Sequence, residues 1–170
     1  MKNYALISVQ DKKKLSYICK VLSKYKISIL STEGTSDKIK KLGFFTKKIK
    51  DITNFNEILD GRVKTLHPKI HGGILYDRKN PAHKKTIKKN KIPTINYVIV
   101  NLYKFKRTVE ENKIHDECLE SIDIGGHSLI RSAAKNYKYV NILTNINDYT
   151  KLEKELKKNK GETSFSFKKI

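Results

Sequence analysis

Four short apolar runs rich in β-branched residues, each set against residues at helical spacing, constrain this 170-residue chain more than any other feature. Tyr4 to Val9 (YALISV) reads as a strand ending at Gln10-Asp11. Leu15, Ile18, Cys19 and Leu22 then recur at i, i+3, i+4 and i+7, one face of an amphipathic helix. Ile27 to Leu30 is a second strand, and Ser31-Thr32-Glu33-Gly34-Thr35 leads from it into a short helix with Ile39 and Leu42 inward. Tyr97 to Val100 (YVIV) is continuous and apolar, as expected of a strand covered on both faces. Tyr139 to Leu143 is the fourth, and Asn147 or Asp148 caps a last helix with Tyr149, Leu152 and Leu156 inward. This alternation predicts an α/β fold, a parallel β-sheet flanked by helices in a single domain. The domain spans residues 1–158, and residues 159–170 form a C-terminal tail with little pattern.

Between the second strand's helix and Tyr97 lies a stretch of about fifty residues with weak periodicity, carrying Gly61, Gly72, Gly73, Pro68, Pro81 and Pro93. A compact domain seldom holds so long an irregular segment unless it has a task. A basic helix near Ala82 to Asn90 is the exception, its lysines a solvated face.

The net charge of +20 ordinarily points to nucleic acid or an anionic surface. Here its make-up argues otherwise. Only Arg62, Arg78, Arg107 and Arg131 are arginines against 33 lysines, although bidentate recognition of bases and phosphates favours arginine. Lys, Ile and Asn, all with AT-rich codons, make up 67 of the 170 residues, so the excess reads as compositional drift on tolerant surfaces. The longest stretch without a charge, Ile92 to Tyr103, is twelve residues, too short to cross a bilayer. No secretory h-region follows Met1, and Cys19 and Cys118 form neither a CxxC nor a disulfide framework. A cytoplasmic protein is expected.

Ligands of open parallel sheets bind at the carboxyl ends of the strands. Ser8 lies at the end of the first strand and Lys12 just after it, Ser31 to Thr35 follow the second, and Asn101-Leu102-Tyr103 the third. The segment Ser121 to Gly126 opens a helix carrying Arg131 and Lys135. Helix starts offer free N–H groups to a phosphate, or are ordinary caps. Arg62 and Lys64 share one face of an extended segment, able to reach one anion or simply solvated. His67 and His71 have metal-ligand spacing, but Pro68 and Gly72-Gly73 argue against a continuous helix through them, and no carboxylate supplies a third ligand. Asp123 either caps the following helix or acts in acid–base chemistry. Lys135, after Ala133-Ala134, is either a proton donor with a lowered pKa or a snorkelling surface group. Tyr103 has the corresponding pair of readings, proton relay or core aromatic.

Together ISVQDK, LSTEGT, DGRVKTLHPKIHGGIL, VNLY, IDIGG and RSAAKN resemble the inosine monophosphate cyclohydrolase domains of the bifunctional purine-biosynthesis (PurH) family. They occur in that family's order from about Tyr4 to Asn159. The resemblance implies a methylglyoxal-synthase-like fold. It also implies dehydrative closure of 5-formamidoimidazole-4-carboxamide ribonucleotide to inosine monophosphate, with no metal or organic cofactor, in a homodimer. Lys64, Tyr103, Asp123 and Lys135 are the catalytic residues it implies, Lys64 polarising the formyl oxygen and the others moving protons. Ser8, Lys12, Ser31, Gly34, Thr35, Arg62, Thr65, Asn101, Ile124 and Gly125 are the implied substrate-binding set.

The chain departs from the family pattern at the nucleotide end. Gln10 and Lys14 replace a serine and a glycine, Glu33 replaces a glycine, and His127 replaces a proline. Glu33 is expected to be strained if its position needs φ > 0, and its charge opposes a phosphate. The formyl-transferring domain that follows in the family is absent from these 170 residues. The alternatives are a nucleotide-binding regulatory module or inactive remnant of the same fold, and a basic nucleic-acid-binding protein.

Overall fold

Alternate side chains of β1 (Asn3–Val9) enter opposite layers. Ala5, Ile7 and Val9 join one apolar cluster, Tyr4 and Leu6 the other. The computed structural model describes residues 3–102, 109–110 and 114–169. Among these, β1, β2 (Ser28–Ser31), β3 (Lys47–Lys48), β4 (Thr94–Asn101) and β5 (Asn141–Leu143) form one sheet in the order β3-β2-β1-β4-β5, every pairing parallel. The chain runs outward from β1 to β3, then returns to add β4 on the other side of β1. That reversal makes the β1/β4 junction the switch point where such sheets bind ligands.

One face of the sheet is covered by α1 (Leu15–Lys24) and α8 (Asp148–Lys158), through Leu15, Ile18, Cys19, Leu22, Tyr149, Leu152 and Leu156, with Ile39 of α2 (Glu33–Lys41) beside them. The other face takes Ile70 and Ile74 of α4 (Pro68–Leu75) and Leu129 and Ala133 of α7 (Ile124–Lys135). Short helices α3 (Lys50–Thr53) and α6 (His115–Glu120) and the basic α5 (Pro81–Lys89) complete the peripheral layer, α5 burying only Ile87. The tail is not featureless. It turns into α9 (Phe165–Lys168), Phe165 stacks 5.8 Å from Tyr137, and Phe167 packs on the core.

Several boundaries differ from expectation. The second strand begins at Ser28 rather than Ile27, the YVIV strand extends to Thr94 and Asn101, and the fourth is only Asn141–Leu143. Leu42 caps α2 at the surface instead of facing inward. β3 consists of two lysines, so no apolar signal marks it. The stretch of weak periodicity contains α4, a helix that runs from Pro68 through His71 and both glycines. Proline suits the first helical turn, and Ile70 and Ile74, fully buried, offset the low propensity of Gly72 and Gly73. Gly73 is required there because a side chain would collide with the Pro93 carbonyl.

A register shift between β1 and β4 falls at Asn96. There Arg78 donates to the Ile95 carbonyl at 2.8 Å and to Asn96 Oδ1, while its guanidinium lies 4.1 Å from the Tyr76 ring centre. This arginine is therefore structural, held at the edge of the core.

Candidate active site

The carboxyl ends of β1, β2 and β4 open into a cavity of about 600 Å³ at the switch point. Two helices begin at its wall. α2 contributes Thr32, Glu33, Gly34 and Thr35, and α7 contributes Asp123 through Gly126. Both helices are long enough to present a positive dipole end and free N–H groups. Lys12, Arg62 and Lys64 bring cations to the same cavity.

Asn101, the last residue of β4, binds the loop after β1. Its Oδ1 accepts from the N–H of Gln10 at 2.6 Å and of Asp11 at 2.9 Å, and its Nδ2 donates to the Asp11 carbonyl at 2.8 Å. This side chain, one of the implied substrate-binding set, is thus engaged in holding the loop that carries Lys12. Lys12 Nζ donates to the Val9 carbonyl at 3.0 Å. Burial first, and then the charge of Lys64, hold its ammonium below the usual lysine range.

The turn that presents Arg62 and Lys64 is closed by an antiparallel bridge between Ile58 and Val63, with Leu59, Asp60 and Gly61 all at positive φ. Arg62 and Lys64 both reach the cavity, although Arg62 also forms an exposed ion pair with Glu120. Thr65, next in sequence, is 2% exposed, and its hydroxyl has no hydrogen-bond partner among the described residues. It faces Gly125. Asp123 caps α7 by accepting from the Gly126 N–H at 2.7 Å, and its carboxylate still lines the cavity. Ile124, half of whose surface is exposed, and Gly125 line it as well.

Of the expected site residues, Ser8, Lys12, Gly34, Thr35, Arg62, Lys64, Thr65, Asn101, Asp123, Ile124 and Gly125 come together here. Ser31 does not. Its hydroxyl is fully buried against Thr46 Oγ1 at 2.9 Å, because the pleat turns it into the interior, and Thr32 takes its place at the wall. Lys135 is also elsewhere. It lies exposed at the C-terminal end of α7, about 16 Å along the axis from the residues that line the cavity. Tyr103 lies outside the described residues.

Glu33 is not strained, since it has ordinary helical geometry in the first turn of α2. Its carboxylate pairs with Lys48 at 2.8 Å and Lys50 at 3.0 Å, which hold its pKa at about 2. The strained departure is Lys14, at φ 56° immediately before α1. His67 caps α4, its Nδ1 accepting from the Lys69 N–H, and His71 Nδ1 lies 2.9 Å from Ser132 Oγ. Among the described residues no cluster of His, Cys, Asp or Glu has metal-binding geometry. None of the described helices is long and apolar enough to cross a membrane. Sequence reasoning missed Thr32, Glu57, Asp60 and Glu120 at the cavity. Thr32 and Asp60 lie inside quoted motifs and so carried a signal, whereas Glu57 and Glu120 carried none.

Residues 14–128 match the family model described as MGS-like domain. The chain is 49% identical over 168 residues to the bifunctional purine biosynthesis protein PurH of Leptospira biflexa, covering 96% of this chain and 33% of that protein. It is 50% identical over 157 residues to PurH of Clostridioides difficile, covering 92% and 31%. The chain thus spans about a third of the length of these curated relatives. The crystal structure of ForH superimposes with a TM-score of 0.81 at 26% identity, over 99% of this chain and 87% of that one.

Proposed function

Since the chain belongs to the MGS-like domain family, we propose that it is an inosine monophosphate cyclohydrolase, closing the purine ring of 5-formamidoimidazole-4-carboxamide ribonucleotide with loss of water. The observation that carries this reading is the convergence of Lys12, Arg62, Lys64 and two helix starts on one cavity that also holds Asp123. A ribonucleotide phosphate suits the N–H groups of α2 together with Lys12. The reacting carboxamide and formamide are already on one molecule, so holding them in contact removes most of the entropic barrier. Lys64 then stabilises the oxyanion of the tetrahedral intermediate, and Asp123 accepts the proton from the attacking nitrogen. Tyr103 is the proposed donor to the departing hydroxide.

The proposal includes a homodimer working in the cytoplasm without metal or organic cofactor. Leu119, Ile122 and Ile124, exposed beside the cavity, support burial against a second copy. The placement of Lys135 outside the cavity favours a second reading, a nucleotide-binding module without turnover. One experiment separates the two. Purified protein given the formamido-ribonucleotide is expected to produce the ultraviolet spectrum of inosine monophosphate, at a rate that Lys64→Met reduces at least a hundredfold. Binding without product above the uncatalysed rate would replace the enzyme by the module.

A further inference from the structure

The cavity wall of this strongly basic chain is rich in carboxylates: Glu33, Glu57, Asp60, Glu120 and Asp123. Three have partners that explain them, and Asp60 belongs to the left-handed turn that precedes Arg62. Glu33 holds Lys48 and Lys50, Glu120 pairs with Arg62, and Asp123 caps α7. Glu57 is different. Its Oε1 accepts a hydrogen bond from the backbone N–H of Glu33 at 3.2 Å, a free donor at the start of α2. It forms no ion pair among the described residues, although its second oxygen and the Lys64 ammonium flank one point, 3.6 and 3.8 Å from where a Cβ on Gly61 would sit. The carboxylate therefore comes from the turn that presents Arg62 and Lys64, and ends on the helix start that suits a phosphate.

We infer that Glu57 is a resident competitor for the substrate phosphate, an intramolecular anion that must leave the Glu33 N–H before a phosphate can take it. This rests on the reading of the site as a nucleotide pocket and adds a specificity determinant to it. A carboxylate engages one N–H here. A phosphate has oxygens enough for Glu33, Gly34 and Thr35 together and for Lys12, so it displaces Glu57 at a net gain. A weaker anion exchanges one carboxylate contact for another and gains little. The hydroxyl of buried Thr65 in the same cavity, unpartnered among the described residues, independently marks the wall as shaped for a polar ligand. Binding would also free Glu57 from α2 and so loosen the tie between that helix and the Arg62–Lys64 turn.

The test is calorimetric titration of the parent, Glu57→Ala and Glu57→Gln proteins with inosine 5′-monophosphate, inorganic phosphate and inosine. Removing one charged competitor for a helix-start donor is expected to tighten the nucleotide and inorganic phosphate by about tenfold in Glu57→Ala, less in Glu57→Gln, with inosine unchanged. Glu57→Gln keeps the shape of the side chain, so both variants failing in the same way cannot be blamed on folding. Weaker or unchanged phosphate binding in both variants overturns the inference, as does absence of phosphate binding in all three proteins. Should the parent make no inosine monophosphate while the variants still bind inorganic phosphate more tightly, the catalytic reading falls and the competitor stands.

Discussion

The Thr65 hydroxyl lies where the side chain of residue 125 would have to be: a Cβ built on Gly125 would sit 2.6 Å from Thr65 Oγ1. This close approach joins the cationic turn to the start of α7, and it makes glycine a packing requirement there. Gly125→Ala is expected to destabilise the protein by about 1–3 kcal/mol through overpacking. In a Thr65→Ala background the same change is expected to recover at least half of that, so chemical denaturation of the four proteins gives a coupling energy well above zero. Additive effects would mean the two residues do not touch. Because the hydroxyl is buried without a partner among the described residues, Thr65→Val is expected to keep or raise stability by up to about 1 kcal/mol while weakening nucleotide binding about tenfold.

Lys14 occupies the left-handed region at φ 56°, ψ 17°, at the entry to α1. A lysine pays a steric penalty there that glycine avoids, of roughly 1–2 kcal/mol, against which glycine loses some backbone entropy on folding. Lys14→Gly is thus expected to raise stability by about 0.5–1 kcal/mol and the melting temperature by roughly 1–4 °C. A fall in melting temperature would mean that the lysine side chain contributes more than its backbone strain removes.

That strain shows where the sequence was legible and where it was not. The apolar runs of β1, β4 and α1 announce both their elements and their buried faces, since periodicity is a local property that burial reads directly. The departure at residue 14 was visible as a missing glycine, yet only backbone geometry shows that the strain falls there and not on Glu33. Lys48 and Lys50, remote in sequence from Glu33, turn its charge away from the loop. Ser31 and Thr32 are adjacent and chemically alike, so the pleat alone decides which one reaches the cavity. Glu57 and Glu120 were silent because their partners, a backbone N–H and an exposed arginine, are tertiary.

Lys12 gives the site a pH dependence. Burial and the neighbouring Lys64 hold its pKa below the usual 10.5, so its ammonium is lost on the alkaline side sooner than that of a surface lysine. A bound phosphate favours the charged form and raises the pKa again. Nucleotide affinity is therefore expected to fall as pH rises through the depressed value, and binding in that range to take up protons. Titrations in buffers of different ionisation enthalpy measure the uptake. In Lys12→Arg, whose guanidinium stays protonated, the alkaline weakening is expected to move to higher pH. An unchanged profile would assign the titration to a group other than Lys12.

Lys135 tests how far family motifs can be trusted over geometry. The resemblance carried by RSAAKN implies a proton-relay role for it, but α7 carries its start and its end to opposite ends of the strands. Ile124 and Lys135 are the first and last of twelve helical residues, a rise of about 16 Å, whereas an extended lysine side chain reaches less than half of that. Within one chain its amine cannot touch a substrate held between Lys64 and Asp123. What it can do is interact with the C-terminal end of the helix dipole, worth about 0.3–1 kcal/mol. Lys135→Met is therefore expected to keep kcat/KM within about threefold of the parent and to lose well under 1 kcal/mol of stability. Lys64→Met, by contrast, is expected to lose at least a hundredfold in kcat. A loss in Lys135→Met as large as that in Lys64→Met, with stability unchanged, would require its amine to enter the cavity of a second copy. In that case, mixing the two single variants would restore activity through dimers that pair one intact cavity with one intact Lys135.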